Sequence, residues 1–170
     1  MIQAQFSGER VVSNAAEAFA YSEKSSFGEK SGQVIEYALV EALFLVEDKK
    51  MQVSKGKKLL SHAELITKVR KLDKKIETKL AVYTDLRKRG YICKTALKYG
   101  ADFRVYNKGV KPGGDHARWI VYTTREHDTL SWHEFAAKNR IAHSTKKHLL
   151  IAVVDEEGDV SYYEIGWLKP

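Results

Sequence analysis

Three observations predict an α+β N-terminal domain followed by an α/β C-terminal domain with a mixed central sheet flanked by helices. Helix-start signals alternate with short runs rich in β-branched and aromatic residues, and Gly-bearing turns separate those runs. The 170 residues are 44% hydrophobic and 11% aromatic, enough for one ordinary core or two small ones, which excludes a disordered chain.

Only two prolines occur, Pro112 and Pro170, so helix starts are read from capping residues. Asn14 with Glu17, Ser61 with Glu64 and Ser131 with Glu134 each place a capping oxygen three residues before a carboxylate that reaches back to the amides of a first turn. The segment from Gln33 to Val46, QVIEYALVEALFLV, is apolar over most of its circumference. It is predicted to be a helix packed on more than one side, the core of the N-terminal unit. Met51 to Val53 and the Lys-Gly turn after it predict a strand or hairpin ahead of the helix opened by Ser61.

Leu80 to Arg89 reads as a helix stopped by Gly90, and Tyr91 with Ile92 begins a short strand. Four further strands are predicted in FRVY (Phe103 to Tyr106), HARWIVY (His116 to Tyr122), HLLIAVVD (His148 to Asp155) and VSYYEIGWL (Val160 to Leu168). A helix from Ser131 to Lys138 lies between the second and third, so the sheet is expected to be mixed. The expected domains are 1–76 and 77–170.

The charge account, 29 Lys+Arg against 22 Asp+Glu, leaves +7 and a pI near 9.3. That favours a polyanionic partner without identifying one. About 14 basic residues face about 4 acidic ones between Lys49 and Arg89, a run that a solvated helix face explains as well as a binding surface does. The single cysteine, Cys93, excludes an intramolecular disulfide and any zinc site built on several thiolates. It fits a reducing compartment and reads as a small buried filler. The most apolar stretch, Val34 to Val46, is interrupted by Glu36 and Glu41 and falls short of the roughly 20 residues a membrane helix needs. MIQAQFSGER has no export signal. The expectation is a soluble, cytoplasmic protein.

Three features carry candidate chemistry. In the loop YNKGVKPGGDHARW, glycines at 109, 113 and 114 permit tight turns that bring Tyr106 and His116 toward each other at one end of neighbouring strands. A histidine there can transfer a proton near neutral pH, and so can a tyrosine whose pKa a neighbouring cation lowers. A surface histidine and a half-buried tyrosine fit the same spacing. In RIAHSTKKHLL, Lys147 immediately precedes an apolar run, so its ammonium is placed to stabilise the charge of a pentacoordinate phosphate while Lys146 and His148 point elsewhere. A solvated cluster of the three is the alternative. The turn DEEGD, with Asp155, Glu157 and Asp159, echoes the start of a calcium loop, but Gly166 stands where a bidentate Glu is required and strands flank it. No metal site is expected there.

Taken together, EYALVEALFLVEDKKMQV, FRVYNKG, GGDHARWIVY, RIAHSTKKHLLIAVVD and DVSYYEI make the chain resemble the archaeal tRNA-splicing endonucleases, of the short homotetrameric type, over nearly its full length. The order and spacing of Tyr106, His116 and Lys147 are similar to that family's catalytic triad. The resemblance implies cleavage of precursor tRNA on both strands of a bulge-helix-bulge, leaving a 2′,3′-cyclic phosphate and a 5′-hydroxyl, with no metal or other cofactor. It implies Tyr106 as general base, His116 as general acid and Lys147 as electrostatic stabiliser. Arg140 matches an arginine that stacks on an extruded bulge base. Trp167 is the nearest counterpart of a second stacking residue, with an interface aromatic as the alternative. The acidic turn at Asp155, Glu157 and Asp159 would dock into a basic groove of another subunit of a homotetramer, a dimer of dimers. A noncatalytic RNA-binding or structural subunit of a splicing complex is the competing function.

Overall fold

The computed structural model describes residues 1–170, which divide into two compact units, Met1–Tyr83 and Thr84–Pro170. The first contains strands β1 (Ile2–Ser7) and β2 (Arg10–Ser13), helix α1 (Ala16–Ser25), strands β3 (Glu29–Ser31) and β4 (Val34–Tyr37), helix α2 (Leu39–Glu47), hairpin strands β5 (Met51–Lys55) and β6 (Lys58–Leu60), and helix α3 (His62–Leu72). Its six strands run in the order β3-β4-β2-β1-β5-β6, all antiparallel except β1 with β5. Ile2, Val11, Ile35, Tyr37, Leu43 and Leu45 are fully buried in it.

Helix α4 (Ile76–Lys88) crosses from the first unit into the second. There follow β7 (Ile92–Ala96), a 3-10 turn (Leu97–Tyr99), β8 (Ala101–Tyr106), β9 (Trp119–Arg125), α5 (Trp132–Ser144), β10 (His148–Val154) and β11 (Val160–Ile165). The sheet order is β11-β10-β9-β8-β7. β9 and β10 are parallel, joined through α5, and every other pair is antiparallel. The second unit therefore has the mixed, helix-flanked sheet expected, and the first combines helices with a sheet as the expected α+β unit. On one face of this second sheet, Ile120, Tyr122 and Leu149 pack with Ala142 of α5. The other face buries Cys93, Phe103, Val105, Val121 and Leu150, and α4 reaches it where Tyr162 donates to Asp85 at 2.7 Å. Burial first, then the Asp85 carboxylate, push the Tyr162 phenol up.

Local corrections are instructive. Ser61 and Ser131 cap α3 and α5 reciprocally with Glu64 and Glu134, but Asn14 caps nothing: α1 starts after Ala15 with no side-chain cap. The segment Gln33–Val46 is not one helix. Its first part is β4, and α2 begins only at Leu39. A carboxylate decides this: Glu41, 4% exposed, accepts from the amides of Ala38 and Gly28 at 3.1 and 3.3 Å and thereby fixes the start of α2. β9 starts at Trp119, later than expected, and α5 runs on to Ser144. β11 stops at Ile165, before Trp167 and Leu168. No helix is long and apolar enough to cross a membrane.

Candidate active site

Strand register brings Tyr106 and Lys147 to one edge of the C-terminal sheet. Val105, Trp119 and His148 form a row across β8, β9 and β10. One residue further out are Tyr106, Arg118 and Lys147, and two backbone bonds lock them there: Arg118 N–H to Val105 O and His148 N–H to Arg118 O, each 2.9 Å. Adjacent strands lie ~4.8 Å apart, so the backbones of Tyr106 and Lys147 flank Arg118 and stand about 10 Å from each other. Successive side chains alternate between faces. Tyr106 and Lys147 therefore share the face covered by α5, opposite to Val105 and His148.

Each side chain is positioned by its element. Tyr106, 5% exposed, is the last residue of β8 and is backed by its pair with Ile92. Lys147 follows a Schellman turn: Lys146 N–H bonds His143 O and Lys147 N–H bonds Ala142 O, with Lys146 at φ 55°. The Lys147 ammonium donates to Thr145 O at 3.0 Å and lies 5.4 Å from the centre of the Tyr99 ring. Lys146 is exposed, and His148 lies 3.6 Å from Glu164 on the other face, so both point away from Lys147.

His116 sits in the loop that leads from β8 to β9. Turns at Asn107–Val110 and Lys111–Gly114 fold this loop back, with Gly109 at φ 82° and Gly113 at φ 90°, values that an L side chain adopts only with strain. Asp115 accepts from the His116 amide at 2.6 Å. Ala117, 4% exposed, anchors the chain just ahead of Arg118. His116 is thus held two residues from the Tyr106–Arg118–Lys147 row with its side chain exposed.

The structure places Trp167 beyond the end of β11, where its ring meets His143 of α5 with centroids 4.3 Å apart. His143 stands three residues after Arg140, hence on the same side of the helix. Both Arg140 and Trp167 are exposed, the latter by 58%.

The acidic turn lies at the opposite end of the sheet, between β10 and β11. Asp155 accepts from the Asp159 amide at 2.8 Å, and the Asp155 amide bonds Asp159 O, so the first of these carboxylates closes its own hairpin. Glu156 pairs with His127 at 2.9 Å, and with Glu126 these two make the one trio of side chains close enough to share a metal ion. All three are exposed. Glu157 and Asp159 are also exposed. On the first unit, Lys55, Lys58, Lys68 and Lys71 line a groove of about 470 Å³ between the β5–β6 hairpin and α3, with Glu64 paired to Lys58 inside it.

Sequence reasoning did not single out His143, Arg118, Trp119, Glu156 or Glu164, because their contacts with Trp167, with one another across β9 and β11, and with His127 join separate strands, helices and loops.

The sequence profile of the tRNA intron endonuclease catalytic C-terminal domain matches residues 76–162, and that of the tRNA intron endonuclease N-terminal domain matches residues 2–66. The chain is 38% identical over 170 residues to the tRNA-splicing endonuclease of Pyrococcus furiosus, covering 99% of this chain and 98% of that one. The Thermococcus onnurineus tRNA-splicing endonuclease is 39% identical over 169 residues, covering 99% and 97%. That of Methanothermobacter thermautotrophicus is 37% identical over 147 residues, covering 86% and 85%. A mixed sheet with a tyrosine, a lysine and a loop histidine gathered at one edge, together with these matches, makes the chain a member of the tRNA intron endonuclease family.

Proposed function

We propose that this chain is a tRNA-splicing endonuclease that excises introns from precursor tRNA. It cuts both strands of a bulge-helix-bulge without a metal ion and leaves 2′,3′-cyclic phosphate and 5′-hydroxyl ends. The carrying observation is the placement of Tyr106 and Lys147 on one face of one sheet edge, with His116 on the loop beside them. The ribose 2′-hydroxyl attacks the adjacent phosphorus while the phenolate of Tyr106 takes its proton and becomes the phenol. His116, protonated, donates to the 5′-oxygen as the P–O bond to it breaks. Lys147 stabilises the added negative charge of the pentacoordinate phosphate. These roles belong to the segment 77–170.

Arg140 and Trp167 hold an extruded bulge base by stacking, a reading supported by the packing of Trp167 on the helix turn that follows Arg140. The acidic turn, with Asp155, Glu157 and Asp159, docks into a basic groove of another copy in a cytoplasmic homotetramer. The exposed carboxylates at the turn and the lysine-lined groove beside α3 support this pairing.

The test is end-group analysis of products from a model bulge-helix-bulge RNA incubated with the purified chain in excess EDTA. Cyclic phosphate and 5′-hydroxyl ends are expected. Cleavage that stops in EDTA would remove the metal-free mechanism. Binding without products at any protein concentration would make the chain a noncatalytic subunit.

A further inference from the structure

We propose that Arg118 and Trp119, backed by Lys108 and Tyr91, form an RNA-backbone grip beside the Tyr106–His116–Lys147 edge, with Arg118 holding a phosphate next to the one that is cleaved. The proposal rests on the reading of the chain as an RNA endonuclease. It adds residues that neither the triad nor the base-stacking pair includes.

Arg118 occupies the middle of the outermost row, its amide bonded to Val105 O and its carbonyl to His148 N–H. Its backbone therefore stands between Tyr106 and Lys147. The guanidinium turns around the rim to the other face, that of His148 and Glu164, and lies 4.5 Å over the Trp119 ring. Trp119 is in turn held still: its indole N–H donates to Glu164 at 2.6 Å, and its ring meets Tyr91 edge to face at 5.7 Å. Lys108 lies 5.0 Å from the centre of the Tyr91 ring. The result is a ladder of cation, ring, ring and cation along the rim of the sheet.

Such an array suits a single RNA strand, because cations neutralise phosphates and aromatic faces accept bases whatever their identity. A guanidinium laid on a ring is weakly hydrated and already planar to its target, which favours forked contact with a phosphate. The Arg118 side chain is 45% exposed, and its distance of 3.7 Å from Glu164 is an ion pair without a hydrogen bond. That exposure leaves the guanidinium accessible to an incoming anion. Glu164, also 3.6 Å from His148, fixes the ladder from β11.

The experiment compares wild type, Arg118→Ala, Arg118→Lys and, as a remote control with a lysine over a ring, Lys30→Ala. Steady-state cleavage of a bulge-helix-bulge RNA and binding of the same RNA with 2′-deoxy residues at the cut sites are measured across a salt series. For Arg118→Ala, KM is expected to rise about tenfold with kcat within about twofold, and the salt slope of binding to fall by about one. Arg118→Lys should restore the salt slope but only part of KM, because it keeps the charge and loses the fork; it also answers for the fold if the alanine variant is unstable. An unchanged KM and slope in both variants, or a loss confined to kcat, overturns the proposal while leaving the endonuclease reading intact. Wild type that neither cuts nor binds the RNA overturns both.

Discussion

Tyr106 is 5% exposed and closes a strand, whereas His116 lies open on a loop, so substitutions at these two positions report different things. His116→Ala is expected to lower the cleavage rate by about 10²- to 10⁴-fold, the usual worth of a positioned proton donor. It should move stability by no more than about 0.5 kcal/mol, because no packing is lost. Single-turnover cleavage with a thermal melt in parallel checks both. A second residue-scale prediction concerns acid. Glu64 in the capping box of α3 is held down to about 2, first by Lys58 and then by the Ser61 backbone. A carboxylate depressed on folding contributes stability above its ordinary range and loses it as pH falls through the folded value. The thermal midpoint of wild type should therefore decline from about pH 5 toward about pH 2 more steeply than that of Glu64→Gln. Equal slopes would mean that Glu64 is not coupled to folding. Capping spacing marked Ser61 and Ser131 in the sequence, and the resemblance to the splicing endonucleases singled out Tyr106, His116 and Lys147. Arg118 and Glu164 were not singled out, since their meaning lies in a rim shared by strands far apart in the chain.

At the scale of elements, α2 shows how one buried carboxylate edits a hydrophobic pattern. The run from Gln33 to Val46 is apolar over most of its length, and periodicity alone does not tell a buried strand from a buried helix. Glu41 separates them, taking the amides of Gly28 and Ala38 and the Tyr83 hydroxyl, 3.4 Å away. Glu41→Ala strands those groups and should cost about 3 kcal/mol, read as a fall in the midpoint of urea unfolding. Gly28 is equally constrained: at φ 66°, a Cβ there would stand 2.4 Å from Ile35 Cγ2 and 3.0 Å from the Glu36 carbonyl. Gly28→Ala should be destabilising by more than about 1 kcal/mol by the same measurement, since backbone cannot yield as a flexible side chain can. In the second unit the helices end alike. Gly90 N–H bonds Arg87 O and Tyr91 N–H bonds Leu86 O after α4, the same Schellman pattern that delivers Lys147 after α5. The first was legible because glycine marks it; the second was not, because Lys146 takes the left-handed position instead.

For the whole molecule, the net charge of +7 resolves into local parts that lie on different surfaces. The lysines beside α3 line a groove, the ladder from Lys108 to Arg118 follows the sheet rim, and the acidic turn protrudes at the other end of that sheet. If the turn docks into a groove on another copy, Glu157→Lys should lower the assembly state seen by sedimentation while each chain stays folded, because a rim charge reversed against lysines repels. An unchanged sedimentation coefficient at all concentrations would reject that docking. By itself, the sequence determined the family, an α+β unit followed by a unit with a mixed, helix-flanked sheet, and the helix starts at Ser61 and Ser131. Those properties follow from local preference and from residue order, which are written along the chain. Only the tertiary structure decided that β1, β2 and β3 join the first sheet, that the Gln33–Val46 segment breaks into strand and helix, and that Tyr106, Arg118 and Lys147 make a single row. Register across strands fixes that row, and a hydrogen bond between strands has no signature in either strand alone.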